Sequence, residues 1–517
     1  MSCSIVIVGA GPVGLSLALG LAHHGVNSVV LEKERHLRTN VRAFGVHMRT
    51  FEVLHSWDAL KPFLESGTFF SKLHLWNPHY REPVGEIDLT PLNKETRHPG
   101  MLFIPQDEIE EILHESVLSR GRTDFRWGHE VVTLRQFPDG VEVEVARHNG
   151  APYRIRADFL VGCDGARSAV RRSLGLKFEG KTYPTRLLLA DFRLTDERAD
   201  LPWPRICSRR RGGMGAIGMG KNRFRLVATL NRKIPEERQV TPEAIREAVE
   251  RLFGPGDHDL LWHMVTDIHR RESSRYRMER TILCGDAAHV VSPAGAQGMN
   301  SGIHDSHNLA WKLAAILQGG CPERLLSSYE EERREAILQV SFYTDFLNRI
   351  ELEGPHWLVP ILGRWLLRLL RQPTLFRIWA RKAGMLDLSY SRSSLLIGQG
   401  RKLGHRLDRP LLKDGKQIRL MDLVSPGAAL LLFDNGRLFK REIQPMFSRI
   451  PELKVYRVVS DPSLAKRGDL IDLSRLLWRC SGKNDCVLLR PDGHIGWMGD
   501  YGTESILARR VKAALGF

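Results

Sequence analysis

Apolar positions near the start of the chain run without interruption rather than alternating. Residues 4–8 read Ser-Ile-Val-Ile-Val, the pattern of a strand covered on both faces. Small and apolar residues from Leu15 to His24 then follow a helical period, and Ser28 to Leu31 form a second buried strand ending at Glu32. Two more short apolar runs, Phe159 to Gly162 and Thr281 to Cys284, carry the same signature. Between residues 181 and 272 the period shifts towards two. Leu187 to Leu194 predicts a strand, and Met214 to Met219, the turn Gly220-Lys221-Asn222 and Arg223 to Leu230 predict a hairpin. In its second strand Phe224, Leu226, Ala228 and Leu230 alternate with Arg223, Arg225, Val227 and Thr229. Strands are also expected over Glu130–Leu134 and Val141–Ala146, flanking the turn Pro138-Asp139-Gly140. Helical spacing returns around Ile109–Leu118 and Leu325–Leu347, and Ala428–Phe433, Lys454–Val459 and Cys486–Arg490 predict a third set of buried strands. Residues 73–99, with Trp76, Pro78, Pro83 and Pro91, read as an irregular excursion.

The chain has 517 residues, 42% of them hydrophobic, enough for more than one core. Its formal charge of +16 could serve nucleic acid, an anionic membrane or anionic small molecules. The basic residues are scattered and match no nucleic-acid motif, so anionic cofactors and substrates rank first. The seven cysteines include no CxxC pair and no ligand cluster, which suggests a reducing compartment and no metal site. Apolar residues begin at Ile5 as a strand, leaving no room for a signal sequence, and no apolar run reaches membrane-spanning length. A cytoplasmic location is expected.

Three motifs carry chemistry. Gly9-Ala10-Gly11-Pro12-Val13-Gly14 sits between a strand and a helix, with Glu32 ending the next strand. That is the context a dinucleotide needs: glycines admit the pyrophosphate, the helix start faces it, and the acid can accept from ribose hydroxyls. Around Asp164 the chain reads CDGARSAVRRS; Asp164 either caps the following basic helix or touches a cofactor. Residues 283–300, LCGDAAHVVSPAGAQGMN, run from a strand into Gly285-Asp286, glycines, and a helix opening at Gly298-Met299-Asn300. A carboxylate past a strand, close backbone and a helix N-terminus together suit a flavin dinucleotide, with Asp286 at the ribityl chain. Arg42 follows in a basic loop that is either solvated or beside the cofactor, and Gln106 opens a helix as a cap, a surface residue or a contact.

These motifs, with Asp305, Asn308 and Trp311-Lys312-Leu313, resemble the single-component FAD-dependent aromatic hydroxylases, the group of para-hydroxybenzoate, phenol, hydroxyphenylpropionate and polyketide hydroxylases. The resemblance implies an α/β fold. A Rossmann-like FAD-binding domain (1–180 and 275–395) is interleaved with a β-sheet substrate domain (181–274). Residues 396–517, with the run RPDGHIGW, resemble the family's thioredoxin-like C-terminal α/β domain, here without CxxC. Carried over by position, Gly9, Gly11, Pro12, Val13, Gly14 and Glu32 hold the ADP half of FAD, Arg42 and Gln106 meet the pyrophosphate–ribityl region, and Val131 meets the adenine. Asp164 serves FAD and NAD(P)H, Asp286 the ribityl chain, and Gly298, Met299 and Asn300 the pyrimidine ring. Pro293 lies beside the reactive edge; it and Arg42 are the candidate catalytic neighbours of a flavin that does most of the chemistry. Arg223, Arg225 and Pro293 are candidate substrate contacts, the arginines being alternatively a solvated face.

The implied activity uses NADPH or NADH and O2 to hydroxylate a phenolic or polycyclic aromatic substrate through a flavin C4a-hydroperoxide. The expected partners are that substrate and O2, with no nucleic acid and with homodimerisation possible. A flavin-dependent reductase or dehydrogenase that does not insert oxygen, and a non-catalytic membrane-associated flavoprotein module, are the alternatives. The segment 356–382 bears on the last: Arg364, Arg368 and Arg371 share one helical face, and it is either a docking helix or a basic peripheral membrane anchor.

Overall fold

The computed structural model describes residues 2–37, 43–79, 82–208, 213–230, 234–351, 372–398, 400, 402–424, 426–434, 447, 452–481 and 485–517. Five parallel strands form the spine of the first sheet: Thr281–Leu283, Tyr153–Gly162, Ser2–Val8, Ser28–Glu32 and Thr123–Trp127, in that spatial order. Their uninterrupted apolar runs are explained by helices on the sheet: Ile5, Val6, Ile7, Leu160 and Ile282 are fully covered. The helices Pro12–His23 and Gly298–Leu317 pack closely here; a Cβ on Gly20 would lie 2.9 Å from that of Ala310. The hairpin His129–Phe137 and Gly140–Arg147 extends the sheet antiparallel to Tyr153–Gly162.

The second sheet is antiparallel. Its order is Arg205–Ser208, Gly213–Gly218, Arg223–Leu230, Phe178–Arg193, Asp259–Ser273 and His289–Val290. The expected alternation holds on one face, where Phe224, Leu226 and Ala228 meet Ile245, Val249 and Leu252 of the helix Pro242–Phe253. Thr241 caps that helix by accepting from the Ala244 amide at 3.1 Å. The last strand, His289–Val290, belongs to the Gly285-Asp286 segment, so this motif ends one sheet and borders another.

The excursion at 73–99 is more ordered than its prolines suggest. Lys72–Leu75 pairs with Gly85–Asp88, and Trp76 exchanges backbone bonds with Pro204 and Ile206, which ties the excursion to the second sheet. Such pairing over more than a hundred residues has no local signature. Of the segment 356–382, only the part from Gln372 lies within the described residues. There, the helix Pro373–Ala383 buries Ala380 against Met48, Leu89 and Leu92, while Arg377 and Arg381 pair with Glu95. That end is a docking helix; Arg364, Arg368 and Arg371 lie outside the described residues. No helix among the described residues is long and apolar enough to cross a membrane.

The third sheet runs Lys416–Arg419, Pro410–Lys413, Leu470–Ile471, Leu453–Val459, Ala428–Phe433, Cys486–Leu489 and Ile495–Gly499, mixing parallel and antiparallel pairs. Its attachment to the rest is ionic and dry. Glu332, on the helix Ser327–Glu351, takes both Arg490 nitrogens at 2.6 and 2.8 Å and Lys312 Nζ at 2.7 Å. Asn308 Nδ2 and Ser393 Oγ also donate to it, at 2.7 and 2.5 Å. Glu332, Lys312 and Arg490 are all fully buried. Burial opposes ionisation of Glu332, but Arg490 and Lys312 win and hold its carboxyl down at about 2.

Replacing Glu332 with leucine strands Lys312 away from water and leaves Arg490 only Asp492. We expect a loss of about 3–5 kcal/mol in chemical denaturation, with the third sheet released first. Because the folded carboxyl sits near 2 against an ordinary 4.5, its contribution is full above about pH 4.5 and fades as pH falls towards 2. Wild-type stability measured over that range checks the sign, and the Glu332→Leu protein should show a flatter profile.

Candidate functional site

The three sequence motifs meet at one end of the first sheet. Gly9 N donates to Leu31 O at 2.8 Å, Cys163 N to Val8 O at 2.8 Å, and Cys284 N to Gly162 O at 3.0 Å. Each motif therefore begins where its strand ends, side by side at the carboxyl edge of a parallel sheet, which is where such folds bind ligands. Val13 joins the first motif to the third. Its side chain lies where a Cβ on Gly285 or Gly302 would stand, at 2.8 and 2.5 Å, and its carbonyl accepts from Ser306 Oγ at 2.9 Å.

The glycine turn divides into two jobs. A Cβ on Gly14 would meet the Gly9 carbonyl at 1.9 Å, so Gly14 exists for backbone packing. A Cβ on Gly11 would meet nothing within 4 Å, so Gly11 borders open space. Gly11 caps the helix Pro12–His23 with no side-chain hydrogen bond, and Pro12 takes the first turn, where no amide bond is lost. The helix start thus presents bare amides and positive dipole to that space. Glu32 stands beside it, with its carboxylate accepting from Ala10 N at 2.7 Å and Glu34 N at 3.0 Å.

Asp164 does cap the short helix Ala169–Ser173: one oxygen accepts from Ala169 N and Val170 N at 2.7 and 3.1 Å. The other oxygen is buried without a hydrogen-bond partner among the described residues. A buried orphan of this kind costs about 1–3 kcal/mol and marks a place for a donor. Asp286 is exposed on the turn Gly285–Ala287. Gln106 starts the helix Gln106–Arg120, accepts from the Ala43 amide at 2.8 Å and donates to Glu110 at 2.8 Å. It therefore holds the segment that follows Arg42, itself outside the described residues. Val131 is buried in the strand His129–Phe137, next to a register shift opposite Glu144 and Val145.

The loop from Pro293 to Gly298 is held from behind. Pro293 is exposed, and Gly295 and Ala296 adopt left-handed backbone, at φ +73° and +54°. Asn300 donates to Ala296 O at 2.8 Å and Gly45 O at 2.9 Å, and accepts from His47 N and Thr50 Oγ1 at 3.0 and 2.7 Å. His47 Nε2 reaches Gly295 O at 2.8 Å. Burial brings the His47 imidazole down to about 4, against the raising effect of its Gly295 and Ala296 backbone partners. It is neutral there and donates from Nε2. The helix Gly298–Leu317 opens with no side-chain cap at Gln297, and Met299 is half-buried at its start.

Under the loop lies Asp305, fully buried. It accepts from Gly285 N at 3.0 Å, His289 Nε2 at 2.6 Å and Arg333 Nε at 2.6 Å. Burial works against its charge, but His289 and Arg333 keep the carboxyl below its usual range. His289 is thus a structural brace, as its place inside an apolar motif suggests.

The two candidate substrate arginines differ from the solvated-face reading. Arg225 is fully buried and Arg223 is 14% exposed, because other parts of the chain cover their strand at this point. Asp191 pairs with both: Arg225 Nε at 2.6 Å, Arg223 Nη2 at 2.7 Å, and Trp262 Nε1 donates to it at 3.0 Å. Arg223 also pairs with Asp107 at 3.1 Å. Arg225 donates to Ala43 O at 3.3 Å and lies over the rings of Phe44 and Trp262. Asp191, Trp262, His47 and the side chains of Asn300 and Arg333 are the members that sequence reading missed. Asp191 left one trace, a lone acid inside the apolar run Leu187 to Phe192.

Open space at Gly11, two bare helix starts, an orphaned Asp164 oxygen and exposed Asp286 suit the polar groups of FAD. The comparisons agree. A family model described as FAD binding domain matches residues 2–342. A rifampicin monooxygenase of Streptomyces venezuelae is 31% identical over 502 residues, covering 96% of this chain and 95% of that protein. The 12-dehydrotetracycline 5-monooxygenase/anhydrotetracycline 6-monooxygenase of Streptomyces rimosus is 32% identical over 516 residues, covering 96% and 95%. The solved anhydrotetracycline hydroxylase of Streptomyces rimosus superposes with a TM-score of 0.79 at 29% identity over the full length of both chains.

The two glycines separate packing from binding. Gly14→Ala should unfold the turn and lower thermal stability sharply, since backbone blocks the added methyl. Gly11→Ala should fold with near-normal stability yet purify with little flavin. Melting curves and the ratio of flavin to protein absorbance distinguish them; equal flavin loading in Gly11→Ala and wild type would remove Gly11 from the site.

Proposed function

The chain belongs to the single-component FAD-dependent aromatic hydroxylases, and from that premise we propose that it uses NADPH or NADH and O2 to hydroxylate a phenolic or polycyclic aromatic substrate. The observation that carries the reading is the convergence of Gly11, Asp164 and the bare helix start at Gly298 at one sheet edge. Bound FAD supplies acceptance of hydride from the nicotinamide and activation of oxygen for transfer to the ring. Polycyclic substrates are favoured over single rings because the relatives matched along the whole chain are named for rifampicin and tetracycline intermediates.

The chain's own residues bind, orient and exclude water. Amides at the start of the helix Pro12–His23 receive the pyrophosphate, Glu32 faces the adenosine ribose, and the Val131 strand borders the adenine. Gln106 and Arg42 serve the region between pyrophosphate and ribityl chain, Asp286 the ribityl hydroxyls, and the free Asp164 oxygen a donor on the cofactor's near side. Amides of Gly298, Met299 and Asn300 stabilise negative charge on the pyrimidine edge. Pro293 stands at the edge where oxygen transfer occurs. Arg225, paired with Asp191, positions the Ala43–Phe44 segment, and Arg223 is shared between Asp191 and Asp107. The third sheet is a thioredoxin-like module without CxxC, in a structural or oligomeric role. The protein is read as cytoplasmic.

The reductase and non-catalytic alternatives are not favoured, because relatives that match nearly the whole chain are monooxygenases. The test is a panel of polycyclic and simple phenols, scored for NADPH and NADH oxidation, O2 uptake and a product heavier by one oxygen atom. Segments 43–46 and 293–298, linked through Asn300 and His47, are suited to couple substrate occupancy to hydride entry. We expect flavin reduction to speed up at least about tenfold with the true substrate, about 1.4 kcal/mol of barrier. Equal stopped-flow rates with and without it would end the coupling, and NAD(P)H oxidation without a hydroxylated product would favour the reductase.

A further inference from the structure

A small cavity lies where the helix Gly298–Leu317 meets the helix Met48–Ser56 and the chain entering the third sheet. It has room for about one water-sized sphere. Arg49, Arg333 and Arg406 supply guanidinium groups, which only donate, and no carboxylate is among the lining residues. Tyr390 also lines it; its hydroxyl accepts from Arg333 at 3.1 Å, which leaves its own proton to donate.

The residue that identifies an occupant is His304, which is 4% exposed and lines this cavity. Its Nε2 lies 3.0 Å from Thr50 Oγ1, whose hydroxyl donates to Asn300 Oδ1 at 2.7 Å. With the Thr50 proton committed, His304 must donate from Nε2. Its Nδ1 then carries a lone pair, and this atom is buried with no hydrogen-bond partner among the described residues. The charges around it are unbalanced. One carboxylate, Glu52, is shared by Arg49 at 2.9 Å and Arg406 at 2.5 Å, and the buried Asp408, 3.7 Å from Arg406, is committed to Arg419 at 2.6 Å. Asp305 is committed to Arg333 and His289, and Asp492 to Arg490 and His494. His47 and His307 also face His304; burial, then Arg333, Arg49 and these two, keep it neutral while the cavity holds no charge.

We propose that this cavity binds one halide-sized monovalent anion, taken up together with one proton on His304 Nδ1. The anion accepts from the guanidinium groups and the Tyr390 hydroxyl and offsets the surplus cation around Glu52. It meets a lone pair at Nδ1 unless that atom is protonated, so the two binding events support each other. Protonated at both nitrogens, His304 still donates to Thr50, and the chain Thr50–Asn300–Ala296 behind the cofactor loop is kept intact. The site is separate from the dinucleotide edge and stands whatever the substrate is.

The probe is bromide, titrated calorimetrically into flavin-loaded protein in halide-free buffer. One coupled proton requires affinity to tighten by about tenfold for each pH unit lowered between 8 and 6. His304→Leu should abolish that slope. Since this variant also loses the Thr50 bond, wild-type crystals soaked in bromide provide a second reading, with anomalous density expected between Arg49, His304 and Tyr390. Binding that is independent of pH, bromide density only elsewhere, or a buried water only in the cavity would overturn the proposal.

Discussion

The carboxylate of Asp305 is the point to which the other elements refer. It is fully buried, and three donors from two separate parts of the chain converge on it: the Gly285 amide and His289 from one motif, and Arg333 from a later helix. A buried anion is tolerated only when its lone pairs are taken up, so the geometry of these donors is dictated rather than preferred. Through Gly285 it sets the turn at the edge of the first sheet. Through His289 it sets a strand of the second sheet, paired at Glu272. Through Arg333, which also reaches Tyr390 and the Ser301 carbonyl, it sets the approach to the third sheet.

A second buried ionic group repeats the device on the same two helices. Glu332 gathers Lys312 and Arg490, and Arg490 belongs to the turn that introduces the last strands of the third sheet. Apolar surfaces alone would let these layers slide over each other. Bidentate and multiply satisfied ion pairs admit few registers, and so specify how the third sheet sits. The candidate site gains from this at a distance, since Asn300, Asp305, Asn308 and Lys312 all project from one helix whose start carries no side-chain cap.

The site itself is mostly backbone: bare amides at two helix starts, open space at Gly11, left-handed turns at Gly295 and Ala296. Side chains act one layer behind. Asn300 and His47 hold the loop, and Asp191 holds Arg225 against Ala43 and Phe44. This explains why Arg223 and Arg225, whose alternation suggested a solvated face, are covered: their neighbours come from residue 43 and residue 262, far away in sequence.

The amino-acid sequence by itself determined the strands with continuous apolar runs, the hairpin at Gly220-Lys221-Asn222, the order of the three motifs and the family they belong to. Those features are local: hydrophobic period, turn chemistry and glycine spacing act over a few residues, and each can be read where it stands. Only the tertiary structure decided that Asp305 braces Gly285, that Asp191 pairs with two arginines, that the region 73–99 holds a strand pair, and that Glu332 anchors the third sheet. Each of those partnerships joins residues that are separated along the chain, from 10–16 positions for the strand pair to 158 for Glu332 and Arg490. A charged residue in a sequence shows what it can bond to; which partner it meets in a dry interior is decided by how the layers stack around it.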